Sequence, residues 1–160
     1  MSRDESTPRL YFEDLTVGRR VTTASVTVDA AAIKDFASHF DPQPFHLDEE
    51  AAKESFFGGL VASGWHTAAL TMRLLVTSGL PIAGGIVGGG GEVTWPRPTC
   101  PGDELTVECE IIAAQPSRSR PERGMVTIRT ETRNQTGEVV QIMTARLVVP
   151  RRLAATSVTP

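Results

Sequence analysis

Residues 60–81 read LVASGWHTAALTMRLLVTSGLP, Leu60 to Pro81. Val61, Trp65, Ala68, Ala69, Met72, Leu75 and Val76 recur at helical spacing, which predicts a long helix beginning at Leu60. Arg73 is its only charged residue, so both flanks of the helix are expected to be covered by protein rather than water. Gly79 and Pro81 supply the stop signal. A membrane span needs about 20 mostly apolar residues. Here Gly64, His66, Gly79 and Pro81 interrupt the run, and Gly58-Gly59 precede it. A helix buried in a protein core is the expectation, with no membrane partner.

The surroundings of this helix fix the fold class. Upstream, Arg19 to Val28 ends in strand-like alternation, with Ala24, Val26 and Val28 set against Thr23, Ser25 and Thr27. Asp29 is placed to cap a helix whose apolar face is Ile33, Phe36, Ala37 and Phe40. Asp41-Pro42-Gln43-Pro44 ends it, because each proline disfavours helical geometry in the residue before it. Asp48-Glu49-Glu50 opens a short second helix, which Gly58-Gly59 closes. Downstream, Leu105, Val107, Cys109 and Ile111 alternate with Thr106, Glu108 and Glu110. Val126 and Ile128 alternate with Thr127 and Arg129, Asn134 to Gly137 is a hairpin turn, and Val139 to Val149 is a long strand. The run Gly84 to Gly91 reads as a flexible loop entering a strand. One strand, then helices, then about four antiparallel strands describe an α+β fold, with the long helix packed on a curved antiparallel sheet.

Composition narrows the function classes. A length of 160 residues suits one domain, 1–160, with flexible tails at about 1–8 and 151–160. A net charge of −3 argues against a nucleic-acid partner, since phosphate-tracking proteins carry a positive surplus. Met1 to Leu10 has no apolar core of a secretory signal. Cys100 and Cys109 lack zinc-site spacing and have no histidine nearby, so they are expected to be reduced thiols of a cytoplasmic protein, and no metal is expected.

The residues able to do chemistry concentrate just before the long helix. Asp41 and His46 lie five apart in a proline-stiffened segment, which can hold a carboxylate and an imidazole toward one spot as a general acid/base pair. The alternative is that Asp41 caps a turn and His46 is structural. Gly64 falls in the first turn of the long helix, where backbone N–H groups are unpaired and the dipole is positive. Such a glycine either presents an oxyanion donor or permits close packing.

Phe36 to Ala51, read as F-x-x-x-x-D-P-Q-P-F-H-L-D-x-x-A, resembles the signature of the MaoC-like dehydratases and (R)-specific enoyl-CoA hydratases. The likeness extends to Tyr11-Phe12-Glu13-Asp14, to Gly59-Leu60-Val61-Ala62-Ser63-Gly64, and to Trp95, Pro98 and Gly102-Asp103-Glu104-Leu105. It implies a hot-dog fold, usually dimeric, so a homodimer or higher homo-oligomer is expected. It also implies that Asp41 and His46 are the catalytic pair and that Gly64 N–H is the oxyanion donor. The implied reaction is hydration of a trans-2-enoyl thioester to the (R)-3-hydroxyacyl thioester. No cofactor is then needed, because coenzyme A, or an acyl carrier protein, is the substrate's handle. Gln43, Ser63, Trp65 and His66 are expected to contact substrate.

Three departures accompany the likeness. Gln43 stands where the family usually has Asn, Ser63 where a histidine often precedes the glycine, and Met72 where some members carry a serine. Two other functions compete. A hot-dog thioesterase usually has an acid on or at the start of the central helix, and residues 60–78 contain none. A non-catalytic acyl-thioester binding subunit would not need the Asp41/His46 pair. Arg118, Arg120 and Arg123 make a basic loop, read as a solvated hairpin with a coenzyme A phosphate contact as the alternative. His39 is expected at the surface, near the end of its helix.

Overall fold

The structure, a computed structural model, describes residues 7–152. Most of both expected tails, 1–6 and 153–160, lies outside the described residues. Strand β1 (Arg20–Thr27) is followed by helix α1 (Ala30–Phe40), whose N-terminus is capped as anticipated, Asp29 accepting from Ala32 N–H at 2.7 Å. Two short helices follow, α2 (Pro44–Leu47) and α3 (Glu49–Lys53), and then the long helix α4 (Gly64–Leu74). The last turn of α4 widens over Leu75–Gly79 and closes with a bond from Leu80 N–H to Leu75 C=O at 2.7 Å. Strands β2 (Val87–Thr94), β3 (Glu104–Pro116), β4 (Arg123–Arg133) and β5 (Val139–Pro150) complete the chain.

The five strands form one antiparallel sheet in the order β1-β3-β4-β5-β2. On β3, Leu105, Val107, Cys109 and Ile111 point inward, while on β4 Val126, Ile128, Thr130 and Thr132 do so. Leu74 and Leu75 at the end of α4 pack on Val107, Ile111, Ile128 and Leu147. A second cluster joins Ile33 of α1 to Leu60, Ala62, Leu105 and Val140, and so seats α1 and the start of α4 on the same end of the sheet. Full burial of each such leucine or isoleucine contributes about 1.5–3 kcal/mol. The α+β expectation is met, with the long helix laid against the sheet.

Three local expectations are corrected. Helix α4 begins at Gly64 rather than Leu60. Leu60 to Ala62 keep a helical spacing of apolar residues, but their backbone pairs sideways: Val61 N–H with Phe45 C=O at 3.1 Å and Ala62 N–H with Thr99 C=O at 2.9 Å. The proline-stiffened segment is not loop throughout, because Pro44 occupies the first position of α2, where its missing N–H costs nothing. The glycine run does lead from a bend at Gly84-Gly85 into a strand, as expected, with Gly88 to Gly91 lying within β2 and paired to β5 across a bulge. At Gly91 a Cβ would collide with the Thr144 carbonyl, so the close approach of β5 requires glycine there. Residues 151 and 152, expected in the C-terminal tail, are held in place. Arg151 pairs with Glu13 at 3.0 Å and Arg152 with Asp14 at 2.7 Å, fastening the end of β5 to the first described turn.

Candidate active site

Helix α1 ends on Asp41, whose N–H bonds Ala37 C=O at 2.9 Å. Pro42 and Pro44 turn the chain, and one turn of α2 then carries His46 back toward Asp41. His46 Nε2 lies 3.2 Å from Asp41 Oδ2. The other ring nitrogen, Nδ1, lies 2.6 Å from the Val61 carbonyl oxygen. A carbonyl only accepts, so Nδ1 carries a proton. Nε2 and the carboxylate would repel unless a proton lies between them, so the pair holds one shared proton in this geometry.

Two further donors converge on the carboxylate. Gln43 Nε2 donates to Oδ1 at 2.6 Å, and Ser63 Oγ donates to Oδ2 at 2.6 Å. Burial pushes the Asp41 carboxyl upward, but the bonds from Ser63 and Gln43 and the adjacent His46 outweigh it and hold the group below the ordinary carboxylate value. Asp41 is therefore ionised at neutral pH.

Ser63 is also the N-cap of α4, its Oγ accepting from Trp65 N–H at 3.2 Å. Gly64 is the first residue of the helix, and among the described residues its N–H has no acceptor. Both early readings of this glycine have a physical basis. The N–H is free at a positive helix end, and a Cβ would strike the Trp95 ring at 2.6 Å.

These groups open on a cavity of about 430 Å³. Asp41, Gln43, His46, Gly64 and Trp65 line it, so the structure brings five of the seven candidate residues to one place. Ser63 and His66 do not line it. Ser63 is fully buried with its hydroxyl committed to Asp41. His66 is instead stacked on Phe36 with ring centroids 4.7 Å apart. Its burial pulls its pKa below the ordinary imidazole value, and its Nδ1 is buried without a partner among the described residues. Arg118, Arg120 and Arg123 are absent from the cavity wall, and Arg123 instead pairs with Glu122 at 3.4 Å. His39 is at the surface as expected, bonded to the Asp35 carbonyl at 2.8 Å.

Sequence reading missed the other walls. Phe56 and Phe57 come from the turn after α3, and Trp95, Arg97 and Thr99 from the segment after β2. Trp95 is held by a buried polar network. Its Nε1 donates to Gln141 Oε1 at 2.9 Å, Gln141 Nε2 donates to Thr71 Oγ1 at 3.1 Å, and Thr71 Oγ1 meets Thr132 Oγ1 at 2.6 Å. Trp95 stands in the sequence only as part of a family-like block, and Gln141 only as one position of the long strand from Val139 to Val149. Among the described residues no group of three His, Cys, Asp or Glu is arranged to hold a metal, and no helix is long and apolar enough to cross a membrane.

Comparison with known proteins gives consistent relatives. The sequence model of the MaoC like domain matches residues 13–134. A MaoC-like dehydratase from Rhodospirillum rubrum is 64% identical, with a TM-score of 0.88 over 91% of this chain and 99% of its own. An (R)-hydratase from A. caviae involved in PHA biosynthesis is 28% identical, with a TM-score of 0.67 over 88% of this chain and 99% of its own. YdeM, an uncharacterized protein of Bacillus subtilis (strain 168), is 35% identical over 79% of this chain and 89% of its own.

Proposed function

The chain belongs to the MaoC-like domain family of hot-dog hydratases and dehydratases, and from that footing we propose that it reversibly hydrates trans-2-enoyl-CoA thioesters to (R)-3-hydroxyacyl-CoA. The observation that carries the reading is the Asp41–His46 contact at 3.2 Å on a cavity that also receives the free N–H of Gly64.

The proton accounting follows from the fixed partners. Ionised Asp41 takes a proton from water as its oxygen adds to the third carbon of the enoyl group. His46, with Nδ1–H spent on Val61, gives its Nε2 proton to the second carbon. Gly64 N–H stabilises the thioester oxygen while it carries enolate charge. Transfer of the new proton from Asp41 to His46 across their contact restores the pair, so nothing is consumed except water and the double bond. No cofactor takes part, and coenzyme A serves as the handle of the substrate. Arg97, an arginine on the cavity wall, is only loosely held by Glu138 at 3.6 Å, which supports a phosphate-bearing handle.

The partner proposed is a second copy of this chain in the cytoplasm. Among the described residues, strand β2 is a sheet edge with its ladder unpaired on one side. Beside it lies an apolar cleft of about 390 Å³ lined by Trp65, Met72, Ile86, Val93 and Met143. Light scattering on a sizing column tests this, and a monomer overturns it.

The activity test incubates the protein with crotonyl-CoA and follows enoyl absorbance and free thiol together. Loss of the enoyl signal without thiol is expected. Thiol release makes it a thioesterase, and no change with short, long or branched enoyl thioesters leaves a binding subunit. Asp41→Asn and His46→Ala are each expected to lower the rate about 10²–10⁴-fold, and wild-type rates in both would remove these residues from the site.

A further inference from the structure

Two side chains that set this sequence apart from its family pattern, Gln43 and Ser63, meet the same carboxylate from opposite sides. They are not equivalent. Gln43 is exposed and lines the cavity, so water can replace its amide on Oδ1. Ser63 has no exposed surface. A hydroxyl has one proton, and that of Ser63 is given to Asp41 Oδ2, while its oxygen accepts from Trp65 N–H. It therefore has no donor left for substrate.

We infer that Ser63 is a positioning residue: its hydroxyl fixes Asp41 Oδ2 against His46 and binds the carboxylate to the N-terminus of α4. The cap and the carboxylate share one atom, Ser63 Oγ, so the base and the Gly64 N–H keep a constant separation. Ser63 and His46 together occupy Oδ2, which leaves Oδ1, once Gln43 gives way, as the oxygen that meets the attacking water. The role rests on the hydratase reading for its rate effects, but its effect on the Asp41/His46 pair requires no substrate.

The experiment compares wild type, Ser63→Ala, Ser63→Cys and Ser63→Thr. The first readout is the imidazole signal of His46 followed by NMR across acid pH without substrate, with exposed His39 as internal reference. Loss of the donor leaves the carboxylate anion less stabilised, so the acid-side step of the coupled pair moves to higher pH in Ser63→Ala. The second is the pH profile with crotonyl-CoA. Ser63→Ala is expected to lower kcat about 10- to 100-fold, the loss of a buried bond to a charged group, with KM little changed. Its acid limb moves in the same direction as the NMR step. Ser63→Cys keeps the volume, weakens the donor and falls between, which covers a failure of the alanine variant to fold. Ser63→Thr restores the wild-type limb. An unmoved NMR step in folded Ser63→Ala or Ser63→Cys overturns the inference. A moved step in a protein that does not hydrate crotonyl-CoA overturns the hydratase reading and leaves the role of Ser63 standing.

Discussion

Adding a single methyl group at Gly64 should unlock the wall of the cavity. An alanine Cβ would stand 2.6, 2.7 and 2.8 Å from Cε2, Cδ2 and Cζ2 of Trp95. The ring must retreat by roughly 0.8 Å to reach ordinary contact. It is not free to do so, because its Nε1 is bonded to fully buried Gln141, which is bonded in turn to fully buried Thr71. Overpacking of this kind costs about 1–3 kcal/mol. Breaking the Trp95–Gln141 bond strands a buried acceptor for about 1–3 kcal/mol more. The better helix propensity of alanine returns less than about 1 kcal/mol. A net loss of about 2–4 kcal/mol corresponds to a fall in Tm of about 5–15 °C for a chain of this size. Thermal melts of wild type, Gly64→Ala, Trp95→Ala and the double variant form the test. In the Trp95→Ala background the Gly64→Ala substitution should cost little, giving a coupling of at least about 1.5 kcal/mol. If Gly64→Ala costs the same with and without the indole, the clash is not the reason for glycine and the packing argument fails.

Three further outcomes are expected. His66 is buried with its pKa depressed by desolvation, so the unfolded chain binds its proton first as pH falls. Above about pH 6.5 it costs nothing, and below that value it destabilises the fold progressively until it charges in place. His66→Phe should flatten the decline of Tm between about pH 7 and pH 5, and an unchanged slope removes His66 as the cause. Burial pushes the Cys109 thiol up to about 12, whereas Cys100 is exposed with a thiol raised by partial burial and by Asp103 and Glu138. Native protein should therefore react with iodoacetamide slowly and at Cys100 alone, with Cys109 labelled only after denaturation, as peptide mapping by mass spectrometry will report. Finally, Arg97→Gln should raise KM for crotonyl-CoA about 5- to 10-fold, the loss of one exposed charge-assisted contact. It should leave KM for crotonyl-N-acetylcysteamine, which has no phosphate, unchanged; equal effects on both would show that Arg97 does not touch the handle.

Much of this molecule could be read from local pattern, and the exceptions share a cause. Asp29 capped its helix because an N-cap acts on N–H groups within three residues, and the turn at Asn134 to Gly137 formed because its bonds are also internal, Gly137 N–H to Asn134 C=O at 3.0 Å. The start of α4 was displaced because Val61 and Ala62 found partners in Phe45 and Thr99, which are remote in sequence. The same holds for the site. The spacing of Asp41 and His46 allowed them to meet but left a structural reading open, and the family likeness is what singled them out. The Val61 carbonyl that fixes the histidine tautomer is a backbone atom and has no sequence signal at all. Ser63 was visible as a residue beside Gly64, but its orientation toward Asp41 arises only when α1 and α4 are packed together. The glycines of β2 suggested mobility, although Gly91 is required by the nearness of β5 rather than by any freedom of the chain.

The clasp of Glu13 and Asp14 with Arg151 and Arg152 joins positions 138 residues apart. The clasp thus brings both ends of the described segment together and closes residues 13–152 into a loop. Such a loop can be reopened elsewhere: a short linker across the clasp and new termini at Gly84-Gly85, an exposed bend with positive φ at both residues, would leave every strand intact. Closing a loop costs entropy that grows only with the logarithm of its length, so the permuted protein would exchange one long closure for another at little thermodynamic expense. The order in which its parts assemble would change, while the shape they assemble into would not.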